Sequence, residues 1–157
     1  MQCTDPDHRH GGEDMIKRVE SACLERGLRF TDLRRRVFEL VAESPRPVKA
    51  YDLLGKLHNH SSAAAAPPTV YRALDFLMDN GFVHKLETMN AYVPCPHPES
   101  GQHGSQFLVC DECHETLELD ANGVVDQLKR QSESQGFEPR RLTVEVYGLC
   151  ARCRQSH

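Results

Sequence analysis

Two pairs of cysteines in the second half of the chain are the residues best suited to chemistry. Cys110 and Cys113 form the motif CDEC, and Cys150 and Cys153 form CARC, with 36 residues between the pairs. Each motif offers two thiolates to one metal ion, and two such turns complete the tetrahedral shell that zinc prefers. A closed four-cysteine shell leaves no position for a substrate, so the set predicts a structural zinc site and not a catalytic one.

These cysteines have two alternative roles to a zinc site, namely a redox dithiol and free buried thiols. Composition helps to choose between the three. The chain has seven cysteines and nine histidines. Its polar first residues lack the apolar core of a signal peptide, and no apolar run is long enough for a membrane span. We therefore expect a cytoplasmic protein without membrane association. Thiols stay reduced there, so paired cysteines indicate metal or redox chemistry before disulfides.

A second group of possible metal ligands is spread widely along the sequence, without the short spacing of a CxxC motif. His84 lies in a β-like segment, Cys95 follows the next one, and His103 lies in a stretch rich in Pro, Gly and Ser. If the two segments form a hairpin, His84 and Cys95 become neighbours. Glu118 comes near if the cysteine-bound zinc holds its strand against that stretch. Two imidazoles, one thiolate and one carboxylate can form a tetrahedral zinc shell.

Spacing alone leaves other assignments of this group open. A strand histidine is more often half-buried than metal-bound, and a strand glutamate is usually solvated. His97 and His114 are competing ligands, whereas His8 and His10 belong to the amino-terminal tail. The sequence has no Ser/His/Asp set in a recognisable context, no phosphate-binding glycine loop and no HExxH motif, so no enzyme is predicted. A three-ligand zinc enzyme and a thiol redox switch are the rivals from other classes.

The elements that must position these residues follow the order of a winged helix-turn-helix. Helical periodicity begins at Asp14, recurs after Thr31 and over roughly 49–57, and returns in PPTVYRALDFLMDNGF. The segments FVHKLE and AYVP, joined by TMN, then predict a hairpin. In this plan the helix before the hairpin reads DNA, and the hairpin is the wing.

Several polar residues of this region can contact DNA. Arg72 suits bidentate recognition of guanine, and Tyr51, Thr69 and Tyr71 can touch bases or phosphates. The alternative is an amphipathic helix whose polar face is only solvated. The net charge of −4 argues against nonspecific nucleic-acid binding, but residues 26–49 hold seven basic side chains against three acidic ones. A surface that faces phosphates should therefore lie in the first half.

Composition divides the chain into four parts within an α+β fold. Residues 1–13 are predicted to be a disordered tail, 14–94 a winged-helix DNA-binding domain, and 95–106 a hinge. Residues 107–157 form a small α/β unit with strands FLV, TLEL and LTVEVY and a helix over roughly 121–135. Such short strands bury little core alone, so we expect this unit to dimerise.

The segments LRFTDLRRRVFEL, AYDLL and PPTVYRALDFLMDNGFVHKLE, followed by a hinge and paired CxxC motifs, resemble the ferric uptake regulator family. The resemblance covers roughly residues 15–153 and is strongest to the zinc uptake regulators within that family. It implies a homodimeric repressor that carries two zinc ions per chain and binds an AT-rich palindromic operator when zinc is replete. No small-molecule substrate is implied. An iron- or peroxide-sensing repressor is the alternative within the family.

The resemblance also assigns residues. It implies structural zinc at the four CxxC cysteines and DNA contacts by Tyr51 and Arg72. The implied ligands of a regulatory zinc are one wing histidine, one cysteine, one hinge histidine and one strand glutamate, namely His84, Cys95, His103 and Glu118. The HHxH stretch of iron and peroxide sensors is GQHGSQF here, which favours zinc. The loop HNHSSAAAAPP is longer than expected, and a His-rich carboxyl-terminal tail is nearly absent, so no third metal site is expected.

Overall fold

The computed structural model describes residues 11–60, 66–100, 104–119 and 122–156. The chain forms two compact units, a first unit up to residue 102 and a second unit from residue 103. This division falls within the predicted hinge, 95–106. In the described ranges, no helix is both long and apolar enough to cross a membrane.

Four helices build the first unit: α1 (Gly11–Glu25), α2 (Asp32–Ala42), α3 (Ala50–His60) and α4 (Pro67–Asp79). Their ends follow local chemistry. The Thr31 side chain caps α2 by accepting a hydrogen bond from the Arg34 amide. Two prolines open α4, where a missing amide costs nothing. Gly81 follows its end with a φ of 73°, which glycine adopts without strain.

Two helix boundaries differ from the prediction. α1 begins at Gly11 and not at Asp14, so Gly11–Glu13 are helical and do not belong to the predicted tail of residues 1–13. Acidic Glu13 and Asp14 suit the positive end of the helix dipole, whereas apolar periodicity carried no signal for this polar turn. Residues 1–10 lie outside the described ranges. α3 continues to His60, past the predicted end near 57, and residues 61–65 are likewise outside.

A small antiparallel sheet completes the winged helix. β2 (Val83–Leu86) and β3 (Ala91–Pro94) form the predicted hairpin, with His84 opposite Val93. A two-residue strand, β1 (Val48–Lys49), pairs with β3 on its other side and was not predicted. Such a short segment has no readable alternation, because only its pairing partner defines it as a strand. The order is β1-β3-β2.

The core of the first unit confirms the helical periodicity predicted after Thr31 and in PPTVYRALDFLMDNGF, because α2 and α4 each bury a stripe of apolar side chains. The α4 residues Val70, Leu74 and Leu77 are fully buried, while Met78 is only partly buried. They pack with the buried side chains of the other elements, chiefly Val19, Val37, Phe38, Val41, Leu53 and Phe82. This packing leaves the opposite face of α4 at the surface.

The second unit is a three-stranded sheet with helices. Its elements are β4 (Ser105–Cys110), β5 (Thr116–Glu118), α5 (Asn122–Ser134), β6 (Thr143–Gly148) and a short α6 (Ala151–Gln155). β4 is central, antiparallel to β5 and parallel to β6, with α5 as the crossover that a parallel pair requires. The predicted strands and helix are therefore present, whereas the short α6, which begins within the CARC motif, was not predicted.

Candidate metal centres and nucleic-acid interface

The sheet of the second unit brings the four CxxC cysteines together. β4 ends at Cys110, which lies opposite Gly148 on the parallel strand β6. The carboxyl ends of both strands therefore lie side by side, and each continues directly into one CxxC turn. The four sulfur atoms all lie within 4.8 Å of one another.

The geometry of this cluster fits zinc. Sulfur atoms bound about 2.3 Å from one tetrahedral ion are separated by about 3.8 Å, and the Sγ atoms of Cys113 and Cys150 lie 3.7 Å apart. The amide of Cys150 donates to Cys110 Sγ at 3.4 Å. This amide and that of Cys113 lower the pKa of the Cys110 thiol to about 6, which favours the thiolate that binds metal.

The wing hairpin brings two further candidate ligands together in the first unit. His84 lies on β2, and Cys95 directly follows β3, where its amide donates to the Phe82 carbonyl at 2.9 Å. A ring nitrogen of His84 and the sulfur of Cys95 lie within 4.8 Å of each other. Cys95 is fully buried, and its sulfur accepts a hydrogen bond from the His97 amide at 3.3 Å. Strand pairing thus brings His84 and Cys95 together, whereas their spacing in the sequence did not show whether they are neighbours.

The remaining candidate ligands belong to other parts of the chain. Glu118 is the last residue of β5 in the second unit, opposite Phe107. His103 lies outside the described residues. The competing candidate His97 has its Nδ1 atom 3.9 Å from the Glu99 carboxylate, and His114 is exposed just after the CDEC turn. The assignment of all four regulatory ligands stays a prediction.

The residues predicted to contact DNA lie at the surface of the first unit. Thr69, Tyr71 and Arg72 are exposed on α4, on the face opposite its buried stripe. Tyr51, in the first turn of α3, is 83% exposed, which is unusual for an aromatic side chain. An exposed tyrosine and an exposed polar helix face each suit contacts with phosphates or bases.

The densest basic run of the sequence is engaged within the first unit. The Arg34 guanidinium lies 3.7 Å from the centre of the Phe76 ring. Arg35 pairs with Glu20, and Arg36 lies 3.1 Å from the Glu39 carboxylate. Their charges are therefore partly offset inside the unit, so a count of basic residues overstated the charge available to phosphates.

Known proteins resemble this chain in sequence. Residues 25–147 match the ferric uptake regulator family. The zinc uptake regulation protein of Escherichia coli strain K12 is 39% identical over 141 residues, which cover 90% of this chain and 82% of that protein. The ferric uptake regulation protein of Staphylococcus aureus strain Mu50 is 24% identical over 133 residues, covering 83% and 91%.

Solved structures resemble the fold as well. The crystal structure of holo XcZur matches with a TM-score of 0.83 and 52% identity, covering 90% of this chain and 98% of that one. A zinc uptake regulator complexed with zinc and DNA matches with a TM-score of 0.85 and 38% identity, covering 92% and 96%. The chain therefore belongs to the ferric uptake regulator family, whose members are transcription regulators and not enzymes.

Proposed function

We propose that this chain is a zinc-responsive transcriptional repressor that binds operator DNA as a zinc-loaded homodimer and controls genes of zinc uptake and homeostasis. The observation that carries the proposal is the pairing of His84 with buried Cys95 in the wing, next to the helix that presents Arg72. Its similarity to a zinc uptake regulator solved with zinc and DNA supports the same conclusion.

Two observations favour zinc over the iron- or peroxide-sensing alternative. The thiolate of Cys95 is a soft ligand that suits zinc better than a hard ion. Identity to the zinc uptake regulation protein of Escherichia coli is 39%, against 24% for the ferric uptake regulation protein of Staphylococcus aureus. Both point to a zinc sensor.

We propose two zinc ions per chain with different tasks. The four CxxC cysteines hold a structural ion, which stabilises the small second unit by linking the ends of β4 and β6. His84, Cys95, His103 and Glu118 hold a regulatory ion. Two of these ligands come from the wing hairpin and Glu118 comes from the second unit, so their joint binding restricts the freedom of one unit relative to the other.

This restriction explains how zinc binding can change the affinity for DNA. A homodimer carries two α4 helices, and they read two half-sites only when their separation matches successive major grooves. Ligand binding that favours this arrangement shifts the population towards the DNA-binding form. We propose an AT-rich palindromic operator, read by Arg72, Thr69 and Tyr71 on α4 and by Tyr51 on α3, in the cytoplasm.

A zinc titration tests this function. Protein that holds one zinc per chain is titrated with a second equivalent while binding to a palindromic AT-rich DNA library is measured at constant salt. We expect affinity for selected sequences to rise about 5- to 150-fold, the usual range of allosteric coupling. An affinity that does not change as the second ion binds would contradict the proposal.

A pair of cysteine variants assigns the response to the wing. Cys95→Ser should abolish binding of the second zinc and the rise in DNA affinity, while the protein keeps its structural zinc and its fold. Cys23→Ser is the matched control, because Cys23 is another buried thiol of the first unit, on α1. A normal zinc response in Cys95→Ser would remove that residue from the site, and global unfolding would assign it to structure.

A further inference from the structure

Arg26 at the end of α1 connects two segments that are distant in sequence. Its Nη1 atom donates to the Asn80 carbonyl at 3.0 Å, and Asn80 is the residue that caps the end of α4. Its Nη2 atom donates to the carbonyls of Pro98 at 2.8 Å and Glu99 at 3.1 Å. These belong to a 3₁₀ turn, Pro98–Ser100, that follows Cys95 closely. One guanidinium therefore links the end of α4 to the chain just beyond the candidate metal ligand.

The same guanidinium also contacts Phe82, the residue whose carbonyl is hydrogen-bonded to Cys95. It lies 5.3 Å from the centre of the Phe82 ring, and this ring is fully buried. The Phe82 carbonyl accepts the hydrogen bond from the Cys95 amide at 2.9 Å. Arg26 thus contacts two segments next to Cys95. One is Phe82, which is hydrogen-bonded to Cys95, and the other is the turn Pro98–Ser100, which follows Cys95 in the chain.

The chemistry of this contact is particular to arginine. All three acceptors are backbone carbonyls, and the guanidinium presents five N–H donors in a rigid planar fork that can reach several of them at once. The carbonyls at the end of α4 carry partial negative charge, which a cation stabilises. A lysine ammonium in the same place carries all its N–H donors on one nitrogen atom. It therefore cannot bridge acceptors on separate segments in the same geometry.

We infer that Arg26 is a positioning residue that couples metal binding at Cys95 to the orientation of α4. The inference rests on the proposed zinc-dependent function. Zinc ligation constrains the Cys95 sulfur and hence the backbone on both sides of it. Because Arg26 ties that backbone to the end of α4, the constraint reaches the helix that carries Arg72. Without the guanidinium, the Cys95 segment can adjust to the ion while α4 keeps its freedom.

The test measures coupling and not affinity alone. For wild type, Arg26→Ala and Arg26→Lys, the operator dissociation constant is determined with one and with two zinc ions per chain. We expect the ratio of the one-zinc constant to the two-zinc constant, about 5 to 150 in wild type, to fall towards 1 in both variants. The one-zinc form should keep its wild-type affinity, because the DNA-contacting residues are unchanged. By reciprocity, the factor by which operator DNA raises the affinity for the second zinc should fall to the same extent.

Arg18→Ala is the matched control. Arg18 lies on α1, which ends directly before Arg26, and binds the same 3₁₀ turn through a salt bridge to the Glu99 carboxylate at 2.6 Å. Its side chain is 44% exposed and that of Glu99 54%, so the pair is screened by solvent and contributes little. Within the described part of the chain, Arg18 has no hydrogen bond to α4 of the kind that Arg26 makes, so its loss should leave the coupling ratio within about twofold of wild type.

Each remaining outcome is decisive. Equal weakening of DNA binding in the one-zinc and two-zinc forms leaves the ratio unchanged, which marks Arg26 as merely structural and overturns the inference. If Arg26→Ala fails to fold, the ratio in Arg26→Lys decides. A normal ratio in folded Arg26→Lys overturns the inference while wild type still responds to zinc. A wild type that does not respond overturns the proposed function itself, and the inference with it.

Discussion

The arginines of the first unit differ in what their guanidinium groups contact. That of Arg72 is on the exposed face of α4, whereas Arg34 packs on the Phe76 ring and Arg36 pairs with Glu39. Arg26 donates to backbone carbonyls. Equal formal charges therefore have unequal roles, and a charge count along the sequence cannot distinguish a DNA reader from a stabilising contact.

At the residue scale, Arg72→Ala should reduce discrimination between operator and unrelated DNA by about 1–3 kcal/mol, because a bidentate base contact is lost. Zinc content and dimerisation should not change. Competition binding of the zinc-loaded protein to operator and scrambled duplexes at one salt concentration measures this. Arg36→Ala removes the same charge from a side chain already paired within α2 and should leave discrimination unaltered. Wild-type discrimination in Arg72→Ala would contradict the assigned role.

At the element scale, the ends of β4 and β6 carry the four cysteines of the proposed structural zinc site. The second unit has a small sheet, and the last residues of β6 are exposed. A unit of this size buries little apolar surface, so a zinc ion held by the four cysteines would supply a large share of its stability. Structural zinc sites in small peptides contribute on the order of 10 kcal/mol.

Cys113→Ser should therefore lose the structural zinc and unfold the second unit, while the helical first unit stays folded. Metal analysis together with residue-resolved hydrogen exchange distinguishes the two units. Asp111→Ala is the matched control, because Asp111 is an exposed residue of the same CDEC turn that offers no thiolate. Retention of zinc and of a protected β6 in Cys113→Ser would show that the four cysteines are not the essential ligands.

At the scale of the whole molecule, one face of the second unit carries an exposed apolar stripe. Leu108 on β4 lies opposite Leu117 on β5 and Val146 on β6, and these three are 38%, 48% and 51% exposed. The neighbouring Phe107 and Val109 face the other way and are buried. An aligned apolar row on a sheet face is typical of a protein interface, and a second copy of this chain fits the dimer expected of the family.

Leu108→Glu should accordingly weaken the dimer. In a symmetric interface both copies would have to bury a carboxylate in place of leucine, which costs several kcal/mol per ion, so the dimer dissociation constant should rise at least about 100-fold. Sedimentation equilibrium of zinc-loaded protein measures the change. Leu24→Glu is the control, since Leu24 on α1 is an isolated leucine with 84% exposure. An unchanged dimer in Leu108→Glu would place the interface on another face.

Much of this molecule was predictable because its signals are local. Apolar periodicity indicated α2 and α4, the turn TMN indicated the hairpin, and the paired CxxC motifs indicated the cysteine cluster. The misses are the first turn of α1, the two-residue β1 and the short α6. Each of these segments is too short or too polar to show apolar periodicity. Dipole effects or strand pairing stabilise such a segment, and neither leaves a periodic pattern in the sequence.

Residue types at short spacing were enough to predict the order of the longer elements, the family and the candidate metal ligands. Which distant residues come into contact depends on the tertiary fold. Strand pairing joined His84 to Cys95, and chain folding turned Arg26 from one basic residue among seven into a bridge between α4 and the segment beyond Cys95. The physical reason is that such contacts depend on loop closure over tens of residues, which local propensity does not encode.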